Sequence, residues 1–370
     1  MLNTSLFSVL VHEQAKRYGD RTAMSYRDYE KNVWVPVSWN RFSEVVRKVS
    51  ASLLALGVDV QENLAVFSQN MPECLYVDFG AYGVRAVTIP FYATSSESQV
   101  VYMVNDAGVR YVFVGEQYQY DIAFRSMPHC PTLQKLIIFD SSVVKNPQDT
   151  VSVYFEDFLQ AGAGHEENEE LKRRAAELRM DDLANILYTS GTTGYSKGVM
   201  LPYRSLWSNV AYCHEMLPVR PGDHIVSMLP LGHVFGMVYD FLYGFSAGAH
   251  LYFLTRMPSP KIIAQSFSEI RPRIISCVPL IVEKIIKKDI LPRIDNKIGK
   301  LLLRMPIVND KIKADMRKKA MEVFGSNFDE IIIGGAPFNA EVERFLKQIG
   351  FPYTIAYGMT AVSYTHLTLP

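Results

Sequence analysis

YTSGTTGYSKG, residues 188–198, is the stretch from which the rest of the chain is best interpreted. Glycines, hydroxyl side chains and one lysine follow directly on the apolar pair Ile186 and Leu187, which is typical of a strand end. Glycines permit positive φ, so consecutive backbone N–H groups can converge on one anion, while hydroxyls and lysine add donors. The stretch therefore predicts a phosphate cradle, whose members are Thr189, Ser190, Gly191, Thr192, Thr193, Gly194 and Lys197.

A stretch rich in glycine and hydroxyl residues has two other interpretations. A Walker loop is excluded, because its lysine directly follows a glycine and precedes a serine or threonine, whereas Lys197 follows Ser196 and precedes Gly198. A polar hairpin turn with a surface lysine is the remaining alternative, because such turns also concentrate Gly and Ser. The density of donors around a single lysine favours nucleotide phosphate.

Composition narrows the classes of partner. A chain of 370 residues is long for one domain and predicts two or three compact units. Lysine plus arginine and aspartate plus glutamate both number 38, so overall charge gives no reason to expect a nucleic-acid partner. The cysteines are widely spaced, which argues against a zinc site or disulfide framework and suits a reducing cytosol: Cys74, Cys130, Cys213 and Cys277. We therefore expect a cytoplasmic protein.

The apolar tract 225–254 is long enough to cross a bilayer, but Pro230, Gly232, Asp240 and further glycines interrupt it. It predicts a strand, loop, helix and strand in a globular core. The basic helix expected at 309–323 interleaves acidic residues, which is more typical of a solvated face than of a lipid contact. We expect no transmembrane span, and a peripheral contact with the inner membrane is left open.

Strand and helix patterns alternate along the chain. A helix is expected over residues 42–56, with Asn40 as its cap and Gly57 at its end. Short apolar strands are expected at 33–39, 64–67, 86–90, 111–114 and 135–139. Such alternation indicates βαβ units, and hence an α/β fold with doubly wound, largely parallel sheets and flanking helices. We expect a first α/β subdomain at 1–180 and a second, incomplete one at 181–361.

Three later segments also end in turns where doubly wound sheets bind ligands. PLGHVFG, residues 230–236, follows an apolar strand, although a lone His233 is more often a satisfied core or surface residue. The apolar residues around His233 suit an acyl tail, with ordinary core as the alternative. GGAP, residues 334–337, and YGMT, residues 357–360, each end a predicted strand.

Taken together, these segments resemble the signature of the adenylate-forming (AMP-binding) superfamily. The loop at 188–198 is similar to [YF]-T-S-G-[ST]-T-G-x-P-K-G, with Ser196 where proline is commonest. VPLIVEKI, residues 278–285, resembles a segment of the long-chain fatty acyl-CoA synthetase branch. The resemblance covers nearly all of residues 1–360, with four motifs in the family's order.

The resemblance implies the large N-terminal domain of an acyl-CoA synthetase. Its implied activity is ATP-dependent activation of a long-chain fatty acid to an acyl-adenylate and then to acyl-CoA, with ATP, Mg²⁺ and CoA as cofactor, metal and cosubstrate. It assigns catalytic roles to Lys197, Thr360 and His233. It also assigns nucleotide contacts to Gly335, Ala336, Pro337, Tyr357 and Gly358.

The chain departs from the family pattern after Thr360. Ala361 stands where the family has an acidic Mg²⁺ ligand, so no metal ligand is assigned. Residues 362–370, VSYTHLTLP, resemble nothing in the family at this point and are expected to be a non-native tail. The C-terminal lid domain is also expected to be absent. The chain is therefore expected to be an inactive fragment, with an inert nucleotide-binding remnant or interaction protein, or adenylation of another carboxylic or amino acid, as alternatives.

Overall fold

Two mostly parallel sheets with helices against their faces form the fold. The computed structural model describes residues 7–189, 196–255, 259–287, 306–360 and 366–368. The strands there are β1 (Thr22–Asp28), β2 (Val33–Ser38), β3 (Asn63–Phe67), β4 (Val87–Phe91), β5 (Tyr111–Val114), β6 (Lys135–Ile138), β7 (Val153–Tyr154), β8 (Leu183–Thr189), β9 (Lys197–Pro202), β10 (His224–Ser227), β11 (His250–Phe253), β12 (Ile274–Cys277), β13 (Glu330–Ile333), β14 (Tyr353–Tyr357) and β15 (His366–Thr368).

Helices connect most of these strands. They are α1 (Phe7–Tyr18), α2 (Trp39–Ala55), α3 (Pro72–Gly83), α4 (Glu97–Asp106), α5 (Gln117–Ser126), a 3-10 helix (Met127–His129), α6 (Phe155–Ala161), α7 (Glu169–Glu177), α8 (Tyr203–Met216), a π-helix (Gly236–Leu242), α9 (Tyr243–Ser246), α10 (Pro260–Ile270), α11 (Pro279–Ile285), α12 (Pro306–Val323) and α13 (Ala340–Ile349). Within the described ranges, no helix combines the length and apolar character that a bilayer crossing requires.

The strand order confirms the predicted fold class. The first sheet has the order β7-β6-β5-β3-β4-β8-β9, and the second has β15-β14-β13-β12-β10-β11-β1-β2. The antiparallel pairs are β8 with β9, β1 with β2, and β14 with β15, and the other pairs in these two sheets are parallel. Helical crossovers join most parallel neighbours, as βαβ units require.

The sheets cross the boundary that the sequence predicts at residue 180. β1 and β2 belong to the second sheet, because β1 pairs with β11. β8 and β9 belong to the first sheet, because β8 pairs with β4 and β9 extends its edge as a hairpin. Local periodicity identifies a strand but not its partner, so the pairing of distant segments was not predictable.

Several local predictions also need correction. α2 begins at Trp39, and its cap is Ser38, whose side chain accepts a hydrogen bond from the Arg41 N–H, instead of Asn40. The Asn40 amide donates to Asp20 (2.8 Å). The local pattern did not predict β1, α5 and β9, of which β9 mixes exposed and buried residues without a clean alternation.

Helices α2 and α3 pack between the sheets and join them through aromatic side chains. The Phe245 ring on α9 lies 5.0 Å from the Phe42 ring on α2 and 5.3 Å from the Phe79 ring on α3, measured between ring centroids. All three rings are buried. Burial of such rings is the main source of stability in a core of this kind.

A buried chain of polar side chains links α3, β4 and β8 beneath this aromatic layer. The Tyr82 hydroxyl donates to Asn185 Oδ1 (2.9 Å), and Asn185 Nδ2 donates to Thr88 Oγ1 (2.7 Å). The Thr88 hydroxyl donates in turn to Asp78 Oδ1 (2.6 Å). Every hydrogen bond in this chain runs in the same direction, so Asp78 is the terminal acceptor.

Asn185→Ala is expected to lower the free energy of unfolding by about 2 kcal/mol or more, because it leaves the buried Tyr82 hydroxyl without an acceptor and removes a donor to Thr88. Urea denaturation measures the loss. The exposed Asn105, whose amide donates to His129 O, provides the control, and Asn105→Ala is expected to change stability by about 0.5 kcal/mol or less. Equal losses for the two variants would contradict the importance of the buried chain.

Candidate functional site

The carboxyl ends of parallel strands from both sheets meet at one seam. Residues following β3 and β4 face residues following β10 and β11 there, around a cavity of about 150 Å³. Cys74 and Asp78 of α3 also line this cavity. Ligands of doubly wound sheets bind at such carboxyl ends, so the seam is the candidate site.

Residues 228–233, here called the motif loop, run along this seam from β10 towards His233. Asn70, which follows β3 of the first sheet, bonds to the loop from one side: its Nδ2 donates to Leu229 O (2.8 Å) and its Oδ1 accepts from Leu231 N (3.2 Å). One amide side chain thus satisfies two backbone groups of a loop that belongs to the other sheet. The local sequence pattern around Asn70 does not reveal these contacts, because Leu229 and Leu231 are distant from it in the chain.

His233 ends the motif loop and is half-buried. Burial lowers the pKa of its imidazole, so the neutral ring dominates near neutral pH. The Phe235 N–H donates to His233 Nδ1 (3.2 Å), which places the proton of the neutral ring on Nε2. His233 can therefore act as a hydrogen-bond donor through Nε2.

The apolar residues that follow His233 are core. Phe235, Met237, Tyr239, Phe241 and Leu242 are each at most 3% exposed. The Phe241 ring lies 5.2 Å from the Phe245 ring and 6.1 Å from the Phe79 ring, in the aromatic layer between the sheets. The expectation that these side chains suit an acyl tail is therefore replaced by the core interpretation that was its alternative.

The two ends of the predicted phosphate cradle are described. Thr189 and Lys197 lie opposite each other where β8 and β9 pair, and Lys197 is exposed. Two tyrosine hydroxyls hold these two strand ends in place. Tyr188 OH donates to Asp106 (2.6 Å), and Tyr102 OH donates to the carbonyl of Ser196 (3.0 Å). A hairpin therefore carries the stretch. The predicted cradle residues Ser190, Gly191, Thr192, Thr193 and Gly194 lie outside the described residues.

The predicted nucleotide contacts lie on two neighbouring strands. Ile333 of β13 pairs with Ile355 of β14, so Gly335 and Tyr357 each lie two residues further along adjacent parallel chains. Gly335 has φ +88°, a conformation that favours glycine, and Tyr357 is 63% exposed. An exposed backbone turn beside an exposed ring forms a flat surface that a base can cover. Its other members, Ala336, Pro337, Gly358 and Thr360, are exposed or half-buried.

Metal ligation receives no support from the described part of the chain. Among those residues, no group of three or more His, Cys, Asp or Glu side chains could hold a metal ion. Ala361, which replaces the family's acidic ligand, lies outside the described residues. The four cysteines are free and buried.

Three carboxyl groups lie on α3 or the π-helix: Asp240 is fully buried, and Glu73 and Asp78 are half-buried. Burial raises the pKa of Glu73, Asp78 and Asp240 to about 7 in each case. Local sequence patterns do not reveal these shifts, because acidic residues are almost never fully buried unless they are paired.

Gly236→Ala tests how closely the π-helix approaches the motif loop. A Cβ at Gly236 would lie 2.4 Å from the carbonyl oxygen of Pro230, whereas one at Gly232 would find its nearest atom at 3.6 Å. We expect Gly236→Ala to lower the free energy of unfolding by about 1–3 kcal/mol, because backbone must move. Gly232→Ala, the matched control, is expected to change it far less. Chemical denaturation of both variants measures the difference, and equal effects would contradict the close approach.

Asp78→Asn tests the effect of pH on stability. A carboxyl whose pKa is raised by burial binds its proton more tightly when folded, so its contribution to stability falls as pH rises from about 4 to about 7. The variant should therefore lose less stability than the wild type between about pH 5 and pH 8. Denaturation at several pH values measures this, with the exposed Asp310→Asn as control. If the free energy of unfolding of Asp78→Asn changed with pH in parallel with that of the wild type, the raised pKa of Asp78 would be contradicted.

Comparison with known proteins identifies the family. The family model described as "AMP-binding enzyme" matches residues 11–369. The long-chain-fatty-acid–CoA ligase ACSBG1 of Rattus norvegicus is 23% identical over 389 residues, covering 96% of this chain and 52% of the relative. The long-chain-fatty-acid–CoA ligase FadD15 of Mycobacterium bovis is 25% identical over 363 residues, covering 91% and 58%. The chain spans about half the length of these curated relatives.

Solved structures share the fold. The N-terminal domain of FACL13 from Mycobacterium tuberculosis, solved with an inhibitor, has a TM-score of 0.68 and 18% identity, covering 96% of this chain and 76% of that one. The anthranilate CoA ligase AuaEII, in complex with anthranoyl-AMP, has a TM-score of 0.73 and 15% identity, covering 96% and 60%. At these identities the likeness shows the fold. The family model itself spans nearly the whole chain, and the chain therefore belongs to the family of AMP-binding enzymes.

Proposed function

We propose that this chain is the N-terminal adenylation part of a long-chain fatty acyl-CoA ligase. The observation that carries the proposal is the position of its predicted motifs, which follow the carboxyl ends of β8, β10, β13 and β14. The names of the curated relatives, both long-chain-fatty-acid–CoA ligases, support the choice of a fatty acid as substrate.

In the first step of the proposed reaction, a carboxylate oxygen of the acid attacks the α-phosphorus of ATP. A new oxygen–phosphorus bond forms, and the bond to pyrophosphate breaks. Lys197 and the cradle from Thr189 to Gly194 bind the β- and γ-phosphates and neutralise the charge that develops on pyrophosphate. Thr360 binds the α-phosphate, and Mg²⁺ arrives with ATP as part of the substrate complex.

The adenine covers the surface formed by Gly335, Ala336, Pro337, Tyr357 and Gly358. The exposed Tyr357 ring and the glycine turn at Gly335 follow adjacent strands of this surface, and together they favour a flat ligand. His233 lies beside the acid and donates a hydrogen bond through Nε2 without losing a proton. Its lowered pKa keeps the ring neutral for this role.

In the second step, the CoA thiolate attacks the carbonyl carbon of the acyl-adenylate. A thioester bond forms, the bond to phosphate breaks, and AMP leaves with the electron pair, while the thiol proton goes to solvent. We place this reaction in the cytoplasm, which suits four free cysteines, and leave a peripheral membrane contact as an alternative.

Two other functions are distinguishable by experiment. Adenylation of another carboxylic or amino acid would show in pyrophosphate exchange against a panel of acids, with the best exchange from a compound other than a long-chain fatty acid. An inert nucleotide-binding remnant would exchange nothing with any acid, even in a version of the protein extended by its downstream sequence.

The role of Lys197 is testable in a version of the protein extended by its downstream sequence. Lys197→Ala is expected to slow ATP–pyrophosphate exchange by about 10²-fold or more, because it removes a charge that stabilises the leaving group. Lys319→Ala, which removes a lysine exposed on α12, is the control and should leave exchange unchanged. Wild-type exchange in Lys197→Ala would contradict the assignment.

A further inference from the structure

The backbone of β10 leaves its sheet after Ser227, and one side chain receives the amide groups that are released. Met228 N–H and Leu229 N–H donate to Asp240 Oδ2 at 2.6 and 2.8 Å, and the Ser227 hydroxyl donates to the same oxygen at 3.1 Å. Asp240 is fully buried. A buried amide without an acceptor costs about 1–3 kcal/mol, so this carboxyl stabilises a strand end that would otherwise be unfavourable.

The position of Asp240 in the chain gives these contacts a further consequence. Asp240 lies on the π-helix, which begins three residues after His233, and the Met237 N–H donates to His233 O (2.9 Å) at its start. The Asp240 carboxyl therefore joins the two ends of the segment 228–240, and His233 lies between those ends. Movement of either end changes the position of the imidazole.

Burial of a carboxyl group carries a large free-energy penalty if its role is purely structural. Asp240 Oδ1 has no hydrogen-bond partner among the described residues, and burial raises the pKa of the group to about 7. An apolar side chain of similar shape would avoid that penalty but would leave the Met228 and Leu229 amides without an acceptor. Irregular π-helical turns of this kind occur frequently at functional sites.

We propose that Asp240 is a positioning residue that fixes the motif loop and thereby the orientation and tautomer of His233. The relevance of that orientation to acid activation depends on the proposed function, whereas the link between Asp240 and His233 does not. Asn70 bonds to the same loop from the first sheet, so Asp240 supplies the matching restraint from the second.

The link can be measured on this chain without any substrate. Nitrogen-15 NMR of histidine side chains reports the tautomer of each ring, and loss of one signal in His233→Gln assigns the His233 resonance. Asp240→Asn retains an acceptor oxygen and should keep the Nε2–H tautomer. Asp240→Leu removes the acceptor and should give a mixture of tautomers, with the signals of distant His12 and His250 unchanged.

Asp182→Leu controls for a general loss of stability. Asp182 is also buried and accepts hydrogen bonds from Arg85 Nε and Arg179 N, both at 3.0 Å, but its partners support the first sheet. We expect this variant to unfold at a lower temperature without a change in the His233 signal. An unchanged His233 tautomer in Asp240→Leu, or an equal change in Asp182→Leu, would overturn the proposal.

Should Asp240→Leu fail to fold, amide hydrogen exchange on the wild type and Asp240→Asn decides. The Met228 and Leu229 amides lie beyond the strand, yet both should be protected in both proteins, because an oxygen at position 240 accepts from each. Exchange at the rate of an open loop in the wild type would overturn the proposal.

Binding of 5′-O-(N-palmitoylsulfamoyl)adenosine, a stable mimic of the acyl-adenylate, separates this inference from the proposed function. We expect Asp240→Asn to bind it about as well as the wild type, and Asp240→Leu at least about 10-fold more weakly, because the reacting end is misplaced. Equal binding by Asp240→Leu would count against the positioning role. Failure of the wild type to bind, with the NMR differences intact, would contradict the proposed function alone.

Discussion

Backbone amides that leave a parallel strand must find new acceptors, and the seam between the two sheets depends on how those of β10 are satisfied. Asp240 accepts from the first two, Met228 N–H and Leu229 N–H, while Asn70 donates to Leu229 O and accepts from Leu231 N–H. Asp240 and Asn70 lie on opposite sides of the seam. The motif loop, which continues from β10 of the second sheet, is therefore also bonded to the first sheet. These hydrogen bonds set the shape of the cavity and the position of His233.

The aromatic layer makes that arrangement rigid. Phe42, Phe79 and Phe245 bring α2, α3 and α9 into one packed layer, and α3 also supplies Asp78 and Cys74 to the cavity. The helix that packs the sheets together is thus the helix that lines the site. A change in the core is expected to reach the site through α3, since packed interiors transmit displacement rather than absorb it.

Much of the fold was predictable because strands and helices differ in period. The strands at 111–114 and 64–67 and the helix that ends before Gly57 were identified from apolar pattern and local chemistry. The motifs likewise identified the family, since glycine turns after strands are local features. Pairing of β1 with β11, burial of Asp240 and the hydrogen bonds of Asn70 involve residues distant in sequence, and no local pattern reveals them.

A crystal structure of this chain with 5′-O-(N-palmitoylsulfamoyl)adenosine would test the central claim most directly. We predict that the adenine covers Gly335 and the Tyr357 ring, and that the acyl sulfamate lies within hydrogen-bond distance of His233 Nε2. The motif loop should keep its contacts with Asn70 and Asp240. A nucleoside bound away from the carboxyl ends of β13 and β14, or an acyl sulfamate remote from His233, would contradict it.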